Sequence, residues 1–179
     1  MIIALVGRRI DAPDTAAQVF PGSSIEPVHA RIRELFKAQK ATAMVSSAAC
    51  GADLIALQTA GELGIRRLVI LPFAPERFRE TSVVDRPGSW GPLFDQVIAE
   101  VKAGGDLVDL DLPFGDDDSY IIANRAIIEE SLALSESTEE PIAAVLVWNG
   151  ISRGPGDVTN AFGDAARARG WKVLEISTL

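Results

Sequence analysis

The sequence predicts an α/β fold in which a mainly parallel sheet lies between two layers of helices. Short apolar runs alternate with segments of helical spacing along the whole chain, and this alternation is typical of consecutive βαβ units. The apolar runs are continuous, as in strands that are covered on both faces. The chain has 179 residues, 47% of them hydrophobic and 23% charged, which is the composition of an ordinary globular domain.

The first half of the chain is predicted to contain three strands and two helices. The strands occupy residues 2–6, 43–46 and 66–72. A loop rich in Pro, Gly and Ser over residues 11–24 precedes the first helix, whose expected N-cap is Ser23 or Ser24. Apolar residues at helical spacing define the helices: Ile25, Val28, Ile32, Leu35 and Phe36 in the first, then Leu54, Ile55, Leu57 and Leu63 in the second, which ends at Gly64.

The second half continues the same alternation. Residues 72–91 contain three prolines and two glycines and are predicted to form a long loop, a length often associated with function. A helix carrying Leu93, Phe94, Val97, Ile98 and Val101 follows this loop. The remaining elements are a strand at 106–110, a helix at 119–134 with Ile121, Ile128 and Leu132 facing inward, a strand at 142–148, a helix at 158–169 and a strand at 171–177.

These elements predict a Rossmann-like, doubly wound sheet in a single domain over residues 1–179, because no repeat or composition break divides the chain. The apolar run at residues 2–6 is too short for a signal peptide, and no apolar stretch reaches the roughly 18 residues that span a bilayer. A single cysteine, Cys50, excludes an intramolecular disulfide or a thiolate metal cluster. We therefore expect a cytoplasmic protein without a membrane partner.

The net charge of −8 argues against a nucleic-acid partner, because binding to a phosphate backbone needs a basic surface. A small anionic ligand is compatible with this charge, since a few local arginines and helix N-termini can hold one. In open α/β sheets such ligands bind beyond the carboxyl ends of the strands.

Three turns at those strand ends are candidate phosphate sites. The first is Gly7-Arg8-Arg9, where a ligand can approach the glycine backbone closely and the arginines can bind phosphate; the alternative is a plain turn with solvated arginines. The second runs from Ser46 and Ser47 through Cys50 and Gly51 to Asp53; Cys50 is expected to be buried filler, and Asp53 either contacts ligand or favours the helix dipole. The third is residues 154–159, a glycine-rich loop that leads into a helix.

Other polar residues are weaker candidates. His29 lies in a helical pattern and is expected to be structural or at the surface. Arg77 and Arg79 are candidates to close over a ligand, and Trp148 either stacks on a base or is buried at the sheet edge. The run Asp116, Asp117 and Asp118 is expected to be a solvated helix cap rather than a metal site, so no metal is predicted.

No nucleophile–base pair, Walker-type motif or Gly-x-Ser-x-Gly motif is present, so catalytic residues are not identified. The segment SSAACGADLIALQTAGELGIRRLVILP, however, resembles the second strand–helix–strand unit of the SLOG superfamily. This Rossmann-like group includes the DNA-processing protein A family, the Lonely Guy phosphoribohydrolases (often labelled lysine decarboxylases) and the molybdenum-cofactor carriers. The turn at Gly7, the run ANRAII at 123–128 and the glycine loop before Thr159 fit the same pattern in order.

The resemblance implies a binding site for a nucleotide or nucleotide-derived small molecule. The residues expected to bind the ligand or its phosphate are Gly7, Arg8, Arg9, Ser46, Ser47, Gly51, Asp53, Arg125, Asn149, Gly154, Gly156, Asp157 and Thr159. It also implies a bacterial protein, a homodimer formed through helices that flank the sheet, and an effector protein partner in a signalling or defence system.

Two departures from the family pattern bear on catalysis and DNA binding. When the motif of the Lonely Guy enzymes is aligned on Thr159, Phe162 stands at the position of the catalytic glutamate. Cys50 replaces an arginine that is usual in the DNA-processing family. The expected function is therefore non-catalytic binding or sensing of a nucleotide-type ligand. The alternatives are hydrolysis of a nucleoside monophosphate, with Asp53, Asp157 or Asp164 as the carboxylate, and a protein-interaction module with a vestigial pocket.

Overall fold

A computed structural model describes residues 1–115 and 118–179, and it has the predicted three-layer, doubly wound α/β architecture. Six strands form one parallel sheet in the order β4-β3-β2-β1-β5-β6. They are β1 (Ile2–Gly7), β2 (Ala43–Ser46), β3 (Arg66–Leu71), β4 (Leu107–Asp109), β5 (Ile142–Trp148) and β6 (Lys172–Ser177).

The helices of the described residues connect these strands. They are α1 (Ile25–Ala38), α2 (Ala52–Glu62), α3 (Pro75–Ser82), α4 (Trp90–Ala103), α5 (Asp118–Thr138) and α6 (Val158–Ala168). Alternate residues of each strand point to opposite faces of the sheet. Ile3 and Leu5 belong to a hydrophobic cluster that includes residues of α1 to α4. Ile2 and Ala4 belong to a second cluster, on the other face of the sheet, that includes residues of α5 and α6.

The strand order reverses at β1, because β2 lies on one side of it and β5 on the other. Gly7 at the end of β1 is paired with Val147 of β5, so the end of β1 lies beside the end of β5. A doubly wound sheet leaves a crevice for ligands beyond the strand ends at such a reversal. The fold therefore places the first and third predicted turns on either side of one crevice.

Helix α3 corrects the prediction of a continuous loop over residues 72–91. Pro75 occupies the first turn of this helix, where a missing backbone N–H costs nothing and the fixed φ favours helix. Phe78 on the same helix is buried and stacks on Phe94 of α4. The prolines that indicated a loop thus include one that begins a helix.

Helix α5 is longer than predicted and buries a different face from the one expected. Ile128 is buried as expected, but Ile121 and Leu132 are exposed, and the buried side also includes Ala123 and Ile127. Apolar residues occur on several sides of this helix, so their spacing does not define one inward face.

Two further details concern the predicted caps. Ser24 precedes α1 but makes no side-chain capping bond, because a 3-10 turn at Gly22–Ser24 already gives it helical backbone angles. Asp116 and Asp117 lie outside the described residues, and Asp118 is the first residue of α5.

Among the described residues, no group of His, Cys, Asp and Glu is placed to hold a metal ion. In the same part of the chain, no helix combines the length and apolar character needed to cross a membrane.

Candidate functional site

A cavity of about 710 Å³ opens at the crevice beyond the ends of β1 and β2. Its size lies within the range of small-molecule sites in proteins. Seven of the predicted ligand-binding residues line it: Gly7, Arg8, Arg9, Ser47, Asp53, Gly156 and Thr159. The charged residues at this cavity form two groups, which we call the α6 side (Arg8, Arg153 and their partner Asp157) and the α2 side (Arg9, Asp53 and Arg86).

On the α6 side, Arg8 is already occupied by the protein. Its two terminal nitrogens each donate to one carboxylate oxygen of Asp157 at 2.7 Å, and one also donates to the carbonyl of Ile151 at 2.8 Å. The guanidinium lies over the ring of Trp148, 5.5 Å from its centroid, and only 2% of the residue is exposed. Arg8 therefore lines the cavity wall but holds Asp157, whereas the sequence predicted that it would hold a phosphate.

Asp157 caps helix α6. Its carboxylate accepts from the backbone N–H of Arg153 at 2.8 Å, of Thr159 at 3.0 Å and of Asn160 at 3.3 Å. Burial alone would raise the pKa of Asp157, but the hydrogen bonds from Arg8, Arg153 and Asn160 outweigh burial and hold the pKa well below its usual range. The helix N–H groups predicted to bind a phosphate are thus filled in part by the protein's own anion.

The α2 side leaves polar groups without protein partners. The Nε atoms of Arg9 and Arg86 are buried and unpaired. A terminal nitrogen of Arg9 donates to Asp85, and the Nε of Arg86 lies 3.7 Å from the same carboxylate. Cys50 is buried behind Arg9, and burial raises the pKa of its thiol. Cys50 is thus buried filler, as predicted.

Asp53 is the carboxylate with the least compensation on the α2 side. One oxygen accepts from the backbone N–H of Ala49 at 3.2 Å, whereas Oδ1 is buried without a partner. Burial raises the pKa of Asp53 to about 7, although the Ala49 N–H and the charge of Arg9 act in the opposite direction. A carboxyl group that titrates near neutral pH in a cavity can give or accept a proton there.

Glycines bring the strand ends and helix α2 together. A Cβ on Gly7 would lie 2.3 Å from the Cβ of Ala52, and a Cβ on Gly51 would lie 2.7 Å from the backbone nitrogen of Ile10. Gly51 also has a φ of 98°, which other residues rarely adopt. Gly51 allows the turn before α2 to pack against the backbone of Arg8 and Ile10. Unlike Gly7, it does not line the cavity.

Five further predicted residues also lie outside the cavity lining: Ser46, Arg125, Asn149, Gly154 and Asp157. The Ser46 hydroxyl donates to the carbonyl of Ser47 at 2.7 Å. Arg125 lines a separate cavity of about 310 Å³ between α5 and α6. Trp148 is buried and its indole N–H donates to Glu175 at 3.0 Å, so of its two predicted roles the structure gives it burial.

The structure adds residues that sequence reasoning missed. Arg86, Phe78 and Ser82 reach the cavity from the segment that was predicted to close over a ligand. Arg77 and Arg79 do not line it, because Arg77 packs over Phe114 and pairs with Glu80, while Arg79 pairs with Asp95. The length of the segment indicated function, but no local pattern distinguished Arg86 from the other arginines.

The wall opposite the sheet is formed by residues near the start of α5. The Tyr120 hydroxyl and the Ser82 hydroxyl lie 3.0 Å apart, which joins α5 to the end of α3. Asn124 donates to the carbonyl of Val158 at 2.9 Å and so joins α5 to α6. His29 is remote from the cavity and lies on α1 with Nε2 3.8 Å from Glu62, in keeping with its predicted structural role.

The described cavity lining is basic although the protein is acidic. Four arginines line it, namely Arg8, Arg9, Arg86 and Arg153, against the two carboxylates of Asp11 and Asp53. Protonation of Asp53 would increase the excess of positive charge. A low-dielectric cavity lined by one sign of charge concentrates ligands of the opposite sign.

Comparison with known proteins finds a match among solved structures. No protein-family model matches the sequence, and no curated protein matches it significantly. Among solved structures, the X-ray structure of DNA processing protein A (DprA) from Streptococcus pneumoniae is similar, with 13% sequence identity and a TM-score of 0.42. The match covers 96% of this chain and 57% of that chain, so the present sequence spans a little more than half the length of the DNA processing protein.

Proposed function

We propose that the protein binds a nucleotide or nucleotide-derived anion in the cavity beyond β1 and β2, without catalysis. The observation that supports this most is that three partly exposed arginines, Arg9, Arg86 and Arg153, line one cavity of a chain with net charge −8. Guanidinium groups bind phosphate oxygens through paired hydrogen bonds. Apolar and aromatic side chains of Phe78, Tyr120 and Ile121 in the same cavity suit the uncharged part of a nucleotide.

Membership of the SLOG superfamily is part of this proposal. It is supported by the order of the motifs along the chain and by the doubly wound sheet that carries them. The single nucleotide-binding domain, the homodimer, the effector partner and the cytoplasmic location that the resemblance implies stay predictions.

Isothermal titration calorimetry on the full chain tests the proposal, with nucleoside mono-, di- and triphosphates, cyclic nucleotides and ADP-ribose. We expect one of these to bind, and binding to weaken as salt rises, because ions screen charged contacts. Arg9→Ala should weaken binding at least about tenfold, since a hydrogen bond to a charged group contributes about 1.5–3 kcal/mol. Arg66→Ala is the control, because Arg66 pairs with Asp106 outside the cavity. Absence of binding at millimolar concentration would contradict the proposal and leave the vestigial interaction module.

A second function is favoured by Asp53 alone. A neutral carboxyl group in the cavity can donate a proton to the base of a bound nucleoside monophosphate as the bond between C1′ and the base nitrogen breaks. Water then adds to C1′ and gives its extra proton to the Asp53 carboxylate, so the products are the free base and ribose 5-phosphate and the carboxyl group is protonated again. The other candidate carboxylates do not suit this role, because Asp157 is held by Arg8 and Asp164 is exposed and pairs with Arg167.

Incubation with nucleoside monophosphates, followed by chromatography for free base, tests this second function. Release of base should fall at least about 100-fold in Asp53→Asn, within the range of general acid catalysis. Asp164→Asn should keep the parent rate, because Asp164 does not line the cavity. If no base is released, or if Asp53→Asn is as active as the parent, hydrolysis through Asp53 is excluded.

A further inference from the structure

The four cavity arginines form two pairs, and each pair shares one carboxylate. Arg9 and Arg86 both contact Asp85, and Arg8 and Arg153 both contact Asp157. One carboxylate compensates one guanidinium, so each pair retains one positive charge that its shared carboxylate does not compensate. Asp11 and Asp53 also line the cavity, and Asp53 offsets the charge on the α2 side only when it is ionised. With Asp53 protonated, the cavity has two separate positions of excess positive charge.

On the α6 side this charge belongs to Arg153. The terminal nitrogens of Arg8 are filled by Asp157 and by the carbonyl of Ile151. The Nε of Arg153 lies 3.9 Å from Asp157, and its side chain is 62% exposed. Burial of part of the group and the nearby charge of Arg8 together lower the pKa of Arg153, so its cation is under-compensated. An anion beside Arg153 would meet a charge that the protein does not neutralise.

On the α2 side both arginine side chains reach the cavity. Arg9 and Arg86 line it, and their side chains are 30% and 29% exposed. The two guanidinium groups share the single carboxylate of Asp85. The position between Arg9 and Arg86 therefore suits a second anionic group.

The topology separates these positions. Arg9 follows β1, and Arg86 belongs to the segment between α3 and α4 on the β3 side of the sheet, whereas Arg153 follows β5. In the order β3-β2-β1-β5, the two positions thus lie on opposite sides of the end of β1. Gly7 ends β1 and places no side chain between them.

We propose that the ligand of this cavity carries two separate anionic groups, one for Arg9 with Arg86 and one for Arg153. Within the nucleotide class this means a nucleotide phosphorylated at two separate positions, such as a nucleoside 3′,5′-bisphosphate. The inference rests on the proposed function, since it specifies the ligand of the same cavity.

Calorimetry on the full chain compares the monophosphate, the 5′-diphosphate and the 3′,5′-bisphosphate of adenosine and of guanosine. We expect the bisphosphate to bind at least about tenfold more tightly than the other two, because it alone carries phosphoryl groups at two separate positions of the nucleoside. Arg86→Ala and Arg153→Ala should weaken bisphosphate binding by similar factors. For the monophosphate the two losses should differ, because one phosphoryl group occupies one position. Arg66→Ala should change neither affinity.

The outcomes separate the inference from the proposed function. If the monophosphate or the 5′-diphosphate binds as tightly as the bisphosphate, the inference is wrong and the proposed function stands. If no member of either series binds at millimolar concentration, the inference is wrong, and the proposed function is then decided by the triphosphates, cyclic nucleotides and ADP-ribose. Because Arg86 is partly buried, Arg86→Gln and a thermal melt of each variant distinguish a lost contact from a lost fold.

Discussion

The two sides of the cavity satisfy their polar groups to different extents. On the α6 side, Asp157 receives hydrogen bonds from Arg8 and from three backbone N–H groups, and of the Arg8 nitrogens Nε alone is without a partner. On the α2 side, the Oδ1 of Asp53 and the Nε atoms of Arg9 and Arg86 are all buried without partners. The α6 side thus pairs both of its carboxylate oxygens, whereas the α2 side leaves a carboxylate oxygen of Asp53 unpaired.

This difference shows that a glycine-rich turn before a helix is an incomplete sign of an anion site. Residues 154–159 have the composition of a phosphate loop, yet Asp157 occupies the position of the anion at the N-terminus of α6. The N-terminus of α2 carries no such cap, because Gly51 has no side chain. Polar atoms without protein partners are therefore a better guide to a ligand site than the composition of a turn.

The largest effect should follow from breaking the α6 side. Asp157→Ala leaves the Arg8 guanidinium buried without its counter-ion, which typically costs about 3–5 kcal/mol of unfolding free energy. Urea unfolding followed by circular dichroism measures this loss. Asp164→Ala on the same helix is the control, and its exposed pairs with Arg167 and Asn160 should contribute less than about 1 kcal/mol. Equal losses in the two variants would mean that the buried pair does not stabilise the fold.

The α2 side should respond to pH rather than to the loss of a pair. Burial raises the pKa of Asp53 from 3.8 to about 7, so the folded protein binds a proton that the unfolded chain releases between these values. Unfolding free energy should therefore fall as pH rises from about 4 to 7, by up to about 4 kcal/mol, and then level off.

Asp53→Asn isolates this contribution, because the amide keeps the acceptor for Ala49 and cannot ionise. The variant should gain stability over the parent at pH 8 and resemble it near pH 4.5, as measured by urea unfolding at each pH. A stability difference that is the same at both pH values would show that Asp53 does not take up a proton on folding.

The central strands β1, β2 and β5 were predictable from sequence because they are buried on both faces. The expected bounds of β2 and β5 agree with the structure, and those of β1 and β3 differ by one residue at the C-terminal end. Helix α3 was not predictable as a helix, since Pro75 indicates either a loop or a first helical turn, and the burial of Phe78 against α4 decides between them. Local pattern thus identifies the layers but not every element between them.

The location of the site was predictable, whereas its chemistry was predictable only in part. Parallel strands end at one edge of the sheet, so the turns at Gly7 and Ser47 meet in the cavity as expected. The pairing of Arg8 with Asp157 joins residues 149 positions apart, and no local spacing encodes it. Arg86 reaches the cavity because its segment lies next to Arg9, where both arginines contact Asp85.

Glycine substitutions should sharpen the comparison between the two turns. Gly51 and Gly156 both have positive φ, but a Cβ on Gly51 would overlap the backbone of Ile10, whereas a Cβ on Gly156 meets open space. Gly51→Ala should cost about 3 kcal/mol, from left-handed strain and overpacking together, and Gly156→Ala about 1 kcal/mol. Thermal melts compare the two, and similar losses would show that the turn before α2 can shift away from the strand end.

The smallest effect should come from the contact that joins the end of α3 to α5. Tyr120→Phe removes the hydroxyl that lies 3.0 Å from the Ser82 hydroxyl and should cost about 1 kcal/mol, because Ser82 is buried and loses a partner. Ser82→Ala should cost a similar amount, and the double variant should cost less than the sum of the two, since both substitutions remove one bond. Additive losses in urea unfolding would mean that the two hydroxyls do not interact, and that Tyr120 contributes through its packing against Phe73 instead.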